Sequence, residues 1–333
     1  MHVRRALPPT WQDREILVHA TEDRLAYRTR ARVHVRVSGG RAIVGMHGAR
    51  TEEPIEVAAC AVLHPSIEGA RARLADLFDG AHGRGEVQIS LGKGSSAVLE
   101  VRWSGMLAAP CFGRLERGVE EGRWQGARVF AGAVSRSAVI GDPTPWTTAA
   151  DGAPLRLSPG GFAQASSAAN ATLGARIAAA IKEVPGAEDA RILELYSGAG
   201  NLTVLLARAS SRVVAVESNR EACEAARENL AARELRARVV EADAEEHPIP
   251  AGSSIVVLDP PRTGARRVAE RLAVSRVRHI AYVSCDPATL GRDLSILAPM
   301  YAPRAVEAFE MFPQTSHVET LVLLERRSPG PPP

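Results

Sequence analysis

A thiol and two carboxylates stand where apolar segments of the sequence begin or end. Cys285 closes the apolar run in HIAYVSCDPATL, Glu319 opens the run in HVETLVLLERR, and Asp259 precedes two prolines in VVLDPPRTG. An ionised thiol is a nucleophile and a carboxylate can accept a proton, so these residue types suit covalent catalysis followed by proton removal. A lone cysteine is more often a small buried apolar residue. The role of Cys285 therefore depends on whether the fold places it beside the acids.

The second half of the chain alternates apolar segments with helical patterns, which predicts a parallel sheet covered by helices. The apolar segments are RILELYSG, RVVAVES, ARVVEAD, SIVVLDPP and HIAYVSCD, followed by AVEAFEMF and HVETLVLLERR. Only PQTS separates the last two, which permits only an antiparallel hairpin. We therefore predict an α/β fold in which residues 156–327 form a Rossmann-like class I methyltransferase sheet, with five parallel strands plus an antiparallel hairpin. Because the last strand begins at the edge where the parallel strands end, Cys285 and Glu319 are expected across one cleft.

Ligands of an open parallel sheet bind beyond the carboxyl ends of its strands, so the residues at those ends are candidates for a site. Gly198 and Gly200 in ELYSGAGN allow a tight turn after the first strand, but Thr203 stands where the dinucleotide motif GxGxxG needs glycine. Glu217 ends the second strand and suits the two hydroxyls of a ribose. Asp243 ends the third strand, where it either meets an adenine edge or caps a turn.

The first half of the chain has short alternating segments separated by glycine, as in RARVHVRVSGGRAIVGMHG. This pattern predicts that residues 1–155 form an N-terminal α+β domain of mainly antiparallel sheet. In AYRTRARVHVR, basic side chains occupy every second position and share one predicted strand face: Arg28, Arg30, Arg32, His34 and Arg36. Such a row suits a phosphate backbone, and it is also typical of a solvated sheet face.

The composition is that of a globular chain. The 333 residues include 41 basic and 38 acidic ones, and a net charge of +3 is too small to identify a nucleic-acid partner by itself. No apolar run is long enough to span a bilayer and the N-terminus lacks the apolar core of a secretory signal, so we predict a cytoplasmic protein without membrane contact, and a monomer. Residues 328–333, SPGPPP, are expected to be disordered. The widely separated cysteines predict neither a metal site nor a disulfide: Cys60, Cys111, Cys223 and Cys285.

Together these motifs resemble those of the RNA uracil-5-methyltransferase family, whose members make 5-methyluridine in transfer and ribosomal RNA with S-adenosylmethionine. The resemblance runs from LAYRTRARVHV to HVETLVLLE and rests on GGFAQAS, YSGAGN, DPPR, SCDP and HVE. It implies that S-adenosylmethionine is the methyl donor, that RNA is the partner, that Cys285 is the nucleophile and that Glu319 is the base. The residues assigned to the methyl donor are Gln164, Tyr196, Gly198, Gly200, Asn201, Glu217, Asp243 and Asp259. Those assigned to the RNA are Arg28, Arg30, Arg32, Arg36, Arg262 and His317.

Two features depart from the family pattern. Asp286 stands where the family commonly has asparagine, and its negative charge is expected to raise the pKa of Cys285. Cys60 matches only the last cysteine of the iron–sulfur cluster found in longer members, so we predict no cluster and expect Cys60 to be buried. The small barrel domain that begins those members is not expected in this chain either, which leaves transfer RNA and ribosomal RNA both open as substrates.

Other functions also fit parts of the pattern. A methyltransferase acting on an exocyclic amine normally has an aromatic residue after its proline pair, where Arg262 stands, and an RNA cytosine-5 methyltransferase has its cysteine there. The chain could instead be a catalytically silent RNA-binding module or an NAD oxidoreductase of similar sheet order. Binding of the methyl donor without turnover would indicate the silent module, and binding of a nicotinamide cofactor would indicate the oxidoreductase.

Overall fold

The structure, a computed structural model, describes residues 2–48, 53–132 and 137–328. The helices are α1 (His2–Ala6), α2 (Pro65–Arg71), α3 (Leu74–Leu77), α4 (Ala109–Glu120), α5 (Ser167–Lys182), α6 (Thr203–Ala209), α7 (Arg220–Ala231), α8 (Arg266–Val274) and α9 (Pro287–Leu297). The strands are β1 (Leu17–His19), β2 (Arg30–Ser38), β3 (Arg41–His47), β4 (Pro54–Ile55), β5 (His82–Leu91), β6 (Ala97–Met106), β7 (Gly126–Ala131), β8 (Ala138–Gly141), β9 (Trp146–Thr148), β10 (Pro154–Arg156), β11 (Arg191–Leu195), β12 (Val213–Glu217), β13 (Arg238–Glu241), β14 (Ser253–Leu258), β15 (His279–Ser284), β16 (Tyr301–Phe309) and β17 (Glu319–Arg326). Short 3-10 helices occur at Pro9–Trp11, Lys93–Ser95 and Ala187–Asp189.

Within those ranges, no helix has the length and apolar character that crossing a bilayer requires. The tail expected to be disordered, residues 328–333, lies outside the described residues except for Ser328.

The chain folds into two units, called here the first and the second unit. The first comprises Met1–Glu22, Thr148–Leu155 and Ser167–Pro333, and the second comprises Asp23–Thr147 and Arg156–Ser166. This division differs from the predicted single boundary between residues 155 and 156, because the short segments 1–22 and 148–155 belong to the first unit and the segment 156–166 belongs to the second. Such short segments carry too few apolar positions for their periodicity to indicate which core they join. Their burial decides the matter, since Val3, Leu7 and Trp11 lie in a core of the first unit.

The sheet of the first unit has the strand order β1-β16-β17-β15-β14-β11-β12-β13. Strands β11 to β15 are parallel to one another, and β17 is antiparallel to both β15 and β16. The prediction of five parallel strands plus an antiparallel hairpin is therefore confirmed. The structure adds β1, which pairs with β16 in parallel at the edge of the sheet. The hairpin connection is longer than PQTS and runs from residue 310 to residue 318.

Helices cover both faces of this sheet. Leu193 and Leu258 pack on one face with residues of α1, α8 and α9. Ile192 and Val257 pack on the other face with residues of α5 and α6. Strands that are buried on both faces appear in a sequence as continuous apolar segments, which is why the sequence indicated a parallel sheet.

The second unit has a sheet of strand order β4-β3-β2-β5-β6-β7-β8. Neighbouring strands are antiparallel except for β6 and β7, which are parallel, so the prediction of a mainly antiparallel sheet is confirmed. One face is buried, where Val33, Val87 and Val101 pack with Ile67 and Leu74 of the covering helices. Strands β9 and β10 each span a boundary between the two units along the chain, at 147/148 and 155/156, and they pair with each other as a separate two-stranded sheet.

Candidate active site

Several loops leave the sheet of the first unit at one edge. Strands β11, β14 and β15 end at nearly the same level, because Leu195 pairs with Leu258 and Leu258 pairs with Tyr282. The glycine loop, the proline corner and the cysteine loop follow these strand ends directly. The antiparallel β17 begins at the same edge. This edge is where an open parallel sheet binds its ligands.

Cys285 and Glu319 face each other at this edge. Ser284 pairs with Thr320 in antiparallel register, so the next position along the ladder sets Cys285 opposite Glu319. Cys285 is half-buried, whereas Glu319 is only 4% exposed and its Oε1 has no hydrogen-bond partner among the described residues. A buried polar atom without a partner is unfavourable and needs an explanation, such as a catalytic role.

The surroundings of this pair disfavour negative charge on both groups. Burial, together with the charges of Glu319 and Asp259, raises the pKa of Cys285 to about 11, while the charge of Arg262 acts in the opposite direction. Burial and Asp259 likewise raise the pKa of Glu319 well above its usual range, again opposed by Arg262. A positively charged ligand at this edge would lower both pKa values.

Asp286 caps the helix that follows the cysteine. Its Oδ1 accepts hydrogen bonds from the backbone amides of Ala288 and Thr289 at the start of α9, both at 2.9 Å. The charges that act on the Cys285 thiol are the three named above, and Asp286 is not among them. The expectation that Asp286 raises the pKa of Cys285 is therefore wrong. Asparagine and aspartate are about equally good N-caps, which explains how either residue fits this position.

A carboxylate at the end of β12 holds the glycine loop that follows β11. Glu217 accepts hydrogen bonds from the backbone amides of Gly198, at 2.9 Å, and Asn219, at 2.8 Å. The φ angles of Gly198 and Gly200 are +56° and +88°, and apart from Gly198 and its two chain neighbours, no heavy atom of the described residues lies within 4 Å of the position that a Cβ on Gly198 would occupy. The loop therefore borders open space, and the carboxylate of Glu217 retains acceptor capacity for ligand hydroxyls.

Sequence reasoning missed a buried acid beneath this loop. Glu194 in β11 is 2% exposed, and its Oε2 accepts a 2.6 Å hydrogen bond from the Thr203 hydroxyl. Burial raises the pKa of Glu194 to about 8, and the charges of Asp259 and Glu217 add to this effect while the hydrogen bond from Thr203 opposes it. A charged residue inside the apolar segment RILELYSG was the available signal. Thr203, whose presence disfavoured NAD, thus ties the start of α6 to the sheet.

Two predicted methyl-donor residues have structural partners that the sequence did not indicate. The Asn201 side chain exchanges hydrogen bonds with Asn170 at 2.8 and 3.0 Å, and it accepts another from the amide of Ala150 at 2.9 Å. These bonds anchor the short segment 148–155 beside the glycine loop. Asp243 caps a turn, because its Oδ1 accepts a hydrogen bond from the amide of Glu245 at 2.8 Å.

The remaining predicted residues occupy varied positions. Tyr196 has a φ angle of +63°, a strained conformation for a residue other than glycine, and such strain is concentrated at functional sites. Arg262 and His317 are exposed on loops of the first unit. Gln164 belongs to the second unit, so its assignment to the methyl donor stays a prediction.

Basic residues of the second unit lie on and before β2. Arg28 precedes the strand, and its Nε donates to the carbonyl of Arg30 at 3.0 Å. Arg30 is largely enclosed: it donates to Gln88 at 2.6 Å and lies 5.7 Å from the centre of the Phe162 ring. Burial and the neighbouring arginine charges lower the pKa of Arg30 to about 10.

The exposed positive groups of β2 are offset in part by carboxylates. Arg32 lies 3.7 Å from Glu86, and Arg36 pairs with Glu53. Arg32 and Arg36 are exposed and His34 between them is partly exposed, whereas the alternate residues Val33 and Val35 are buried. This alternation gives β2 one apolar face and one charged face.

The described residues contain no cluster of His, Cys, Asp or Glu side chains that could hold a metal ion. Cys111 and Cys223 are buried, and Cys60 is partly exposed. The expectation that Cys60 is buried is therefore wrong. The residues just before it, from 56 to 59, are exposed and irregular, so the apolar letters of VAACAVL did not indicate a core segment.

The strand order and the ligand edge define a class I methyltransferase. Residues 192–282 match the family model described as Methyltransferase domain, and residues 251–327 match the one described as tRNA (Uracil-5-)-methyltransferase. The chain is 30% identical over 315 residues to the 23S rRNA (uracil(1939)-C(5))-methyltransferase RlmD of Pseudomonas savastanoi pv. phaseolicola, which covers 90% of this chain and 68% of that protein. The chain belongs to the RNA uracil-5-methyltransferase family, an enzyme family that uses S-adenosylmethionine as its methyl donor.

One further relative agrees with this membership, and one solved structure has a similar fold. The protein of the same description from Salmonella typhi is 30% identical over 328 residues, or 93% of this chain and 74% of that one. The fold is similar to that of the Pyrococcus abyssi tRNA (uracil-54, C5)-methyltransferase in complex with S-adenosyl-L-homocysteine, with a TM-score of 0.74 and 22% identity. That likeness covers 97% of this chain and 80% of the other.

The chemistry of the ligand edge fits S-adenosylmethionine, which carries a positively charged sulfur. Glu217, Asp259 and Glu319 present carboxylates at this edge, and a cation among them is favourable. Glu217 would hold the ribose, and the open space beside Gly198 leaves room for a nucleoside against the loop backbone.

Proposed function

We propose that this protein methylates carbon 5 of a uridine in RNA through a covalent bond between the Cys285 sulfur and carbon 6 of the base. The observation that carries the proposal is the register of β15 and β17, which sets Cys285 opposite a buried Glu319 whose Oε1 has no hydrogen-bond partner in the described part of the chain. When a thiol and a carboxylate lie in facing positions, the thiolate can attack a carbon of a planar ring and the carboxylate can remove a proton from that ring. The proposal includes a monomeric enzyme in the cytoplasm.

Cys285 supplies the nucleophile in the first step. Carbon 5 of uracil is too weak a nucleophile to take a methyl group unaided. When the thiolate of Cys285 forms a bond to carbon 6, the electron pair of the carbon 5–carbon 6 double bond moves toward carbon 5 and oxygen 4, which produces an enolate. S-adenosylmethionine, when bound, would supply the methyl group that carbon 5 takes up with this electron pair, and the bond between the methyl group and the sulfonium sulfur would break with its own electron pair staying on the sulfur.

Glu319 completes the reaction by accepting the proton that carbon 5 still carries. The electron pair of that carbon–hydrogen bond re-forms the double bond, the bond between carbon 6 and sulfur breaks, and Cys285 leaves as a thiolate. Burial and Asp259 raise the pKa of Glu319, which makes it a stronger base once it is ionised. Arg262 opposes the excess of negative charge beside both groups.

We infer that the substrate is ribosomal RNA of the large subunit. The inference is supported by the relatives that match nine-tenths of the chain, which are 23S rRNA methyltransferases. The structural neighbour acts on tRNA, but its 22% identity supports the fold alone. Incubation with unmodified 23S rRNA and unmodified tRNA, followed by mapping of 5-methyluridine, distinguishes the two. Methylation of tRNA in preference to 23S rRNA would contradict this assignment.

The covalent step is tested with labelled methyl donor, RNA that lacks 5-methyluridine, and three variants. Cys285→Ala should transfer no methyl group and form no adduct, because no other thiol faces Glu319 at this edge among the described residues. Glu319→Gln should accumulate a methylated RNA–protein adduct that survives denaturation, because carbon 5 keeps its proton. Cys60→Ala, in the second unit, is the matched control and should remain active. Activity in Cys285→Ala would refute the mechanism.

A further inference from the structure

A cavity lined by arginines lies at the edge of the first unit's sheet where the parallel strands begin. Cys285 lies at the opposite edge, where these strands end. Its volume is about 370 Å³, and it lies at the amino ends of β11, β12 and β13. The arginines that line it are Arg191, Arg212, Arg236 and Arg238, and the other lining residues are small or apolar: Ser211, Val213, Val214 and Ala237. None of the residues assigned above to the methyl donor or to the RNA lines it.

The register of the strands places these arginines side by side. The amide of Ile192 donates to the carbonyl of Arg212, and Val214 pairs with Arg238. Continuing these ladders toward the amino ends sets Arg191 beside Arg212 and Arg212 beside Arg236. Adjacent strands are about 4.8 Å apart, and like charges directly opposite each other in a sheet are destabilising.

The four arginines converge because all of them line this one cavity. Arg238 lies within β13, two positions before Val240, which belongs to one core cluster with Leu193 and Val214, so the side chain of Arg238 shares their face of the sheet. Arg212 and Arg236 lie just before β12 and β13 and line the cavity together with Arg238.

No carboxylate neutralises this row within the described part of the chain. Arg191 donates to the backbone carbonyl of Ala251, and Arg212 donates to that of Asp189 at 3.5 Å. None of the four arginines forms an ion pair within 4.0 Å there, and Arg212, Arg236 and Arg238 are exposed. The arginines of β2 and of several helices, in contrast, have acidic partners.

We propose that this cavity binds phosphate groups of the RNA substrate and forms a second RNA contact at the far edge of the sheet. This proposal rests on the function proposed above, the methylation of a uridine in RNA. Guanidinium groups bind phosphate through paired hydrogen bonds, and they stay charged at every physiological pH. The lining has no aromatic ring to stack on a base, so the site would position the RNA backbone without reading its sequence.

The contact must involve RNA that is remote from the reacting uridine. Strand β11 runs from Arg191 to Leu195, which separates the two edges by about 13 Å at a rise of roughly 3.3 Å per residue. A short hairpin that carries the target uridine can occupy the Cys285 edge alone, whereas a larger folded RNA can reach both edges. The length dependence of binding therefore reports on the cavity.

The test compares two variants that lose the same charge. The cavity variant is Arg212→Gln, Arg236→Gln and Arg238→Gln, which keeps Arg191 and its bond to the backbone. The control is Arg276→Gln, Arg278→Gln and Arg327→Gln, three exposed arginines at the same sheet edge outside the cavity. Affinity for a long 23S rRNA fragment is measured over a range of salt concentrations, together with methyl transfer to a short hairpin.

The cavity variant should bind the long RNA at least 10-fold more weakly at physiological salt, and its slope of log affinity against log salt should be shallower by about 2 to 3. The control should change much less, and both variants should methylate the short hairpin like the parent protein. Equal losses of RNA affinity in the two variants would overturn the proposal, because overall charge would then explain them. Loss of hairpin methylation in the cavity variant alone would also overturn it, because the two edges would not act separately.

A binding test with inorganic pyrophosphate distinguishes two possible ligands of the cavity, the phosphates of RNA and those of small phosphate compounds. Pyrophosphate should raise the melting temperature of the parent protein only weakly, and only while the cavity arginines are present. Tight pyrophosphate binding that the cavity variant loses, with unchanged RNA affinity, would overturn RNA as the ligand. If the parent protein methylates no uridine at all, the proposed function fails, while the difference in salt slope between the variants still tests the cavity.

Discussion

Cys285 and Glu319 both lie where negative charge is unfavourable, although the proposed reaction needs a thiolate and a carboxylate. Burial and neighbouring acids raise both pKa values, and Arg262 offsets only part of this effect. The positive charge of a bound methyl donor would favour the ionised forms. The pair is therefore expected to be unreactive until the donor is bound, which protects a nucleophilic cysteine from unproductive reactions.

This dependence on charge can be measured through alkylation of the Cys285 thiol, read by mass spectrometry of its peptide. Because the pKa of Cys285 is about 11, its alkylation rate should still be rising at pH 10 in the protein without ligand. Glu319→Gln should shift this profile to lower pH by removing a negative charge, and a non-transferable cationic analogue of the donor should do the same. Asp286→Asn is the matched control and should leave the profile unchanged, since asparagine also caps α9. A larger shift in Asp286→Asn than in Glu319→Gln would contradict this account.

Helix α9 connects the cysteine loop to the proline corner. Asp293, which is fully buried in this helix, accepts 2.7 Å hydrogen bonds from the Tyr282 hydroxyl and from the amide of Ala265. The Thr289 hydroxyl donates to the carbonyl of Arg262 at 3.0 Å. These bonds fix the loop that carries Asp259 and Arg262 relative to the loop that carries the nucleophile, so the distances at the site depend on α9 as a whole.

Strand β2 is the element with which we expect the second unit to contact RNA. Replacing Arg32 and Arg36 by Gln should weaken RNA binding several-fold and make its salt dependence shallower by about 1 to 2, because two exposed phosphate contacts are lost. The effect should stay moderate, since Glu86 and Glu53 already offset part of the charge. Filter binding at several salt concentrations measures both quantities. The control replaces Arg73 and Arg117 by Gln, two exposed arginines on the helix-covered side. An equal effect on RNA binding in the control would show that the charged face of β2 is only a solvated surface.

Patterns within single elements were readable from the sequence, whereas partners distant along the chain were not. The apolar strands and the motifs at their ends predicted the sheet and its ligand edge, because each strand carries its own signal. The capping role of Asp286 and the contacts of Asn201 depend on where backbone amides lie after folding. Glu194 was visible as an acid in an apolar strand, but its Thr203 partner was not. Local sequence thus indicates which residues reach the edge, and only the tertiary structure shows which of them are free for a ligand.

The contribution of short distant segments to the first unit predicts that residues 156–333 alone will not fold. This fragment loses Val3, Leu7 and Trp11 from the core, and each large apolar side chain contributes about 1.5–3 kcal/mol when buried. It also loses β1 from the edge of the sheet and Asp151, which forms ion pairs with Arg208 and Arg233. The combined loss is comparable to the whole stability of a typical domain, about 5–15 kcal/mol. Circular dichroism should therefore show no cooperative unfolding in the fragment, and calorimetry should detect no binding of the methyl donor. The full-length Asp151→Asn protein is the control: it loses only the ion pairs and should still unfold cooperatively, at a lower temperature than the parent protein. A fragment that melts like the full chain would contradict the prediction, because residues 1–22 and 148–155 would then be dispensable.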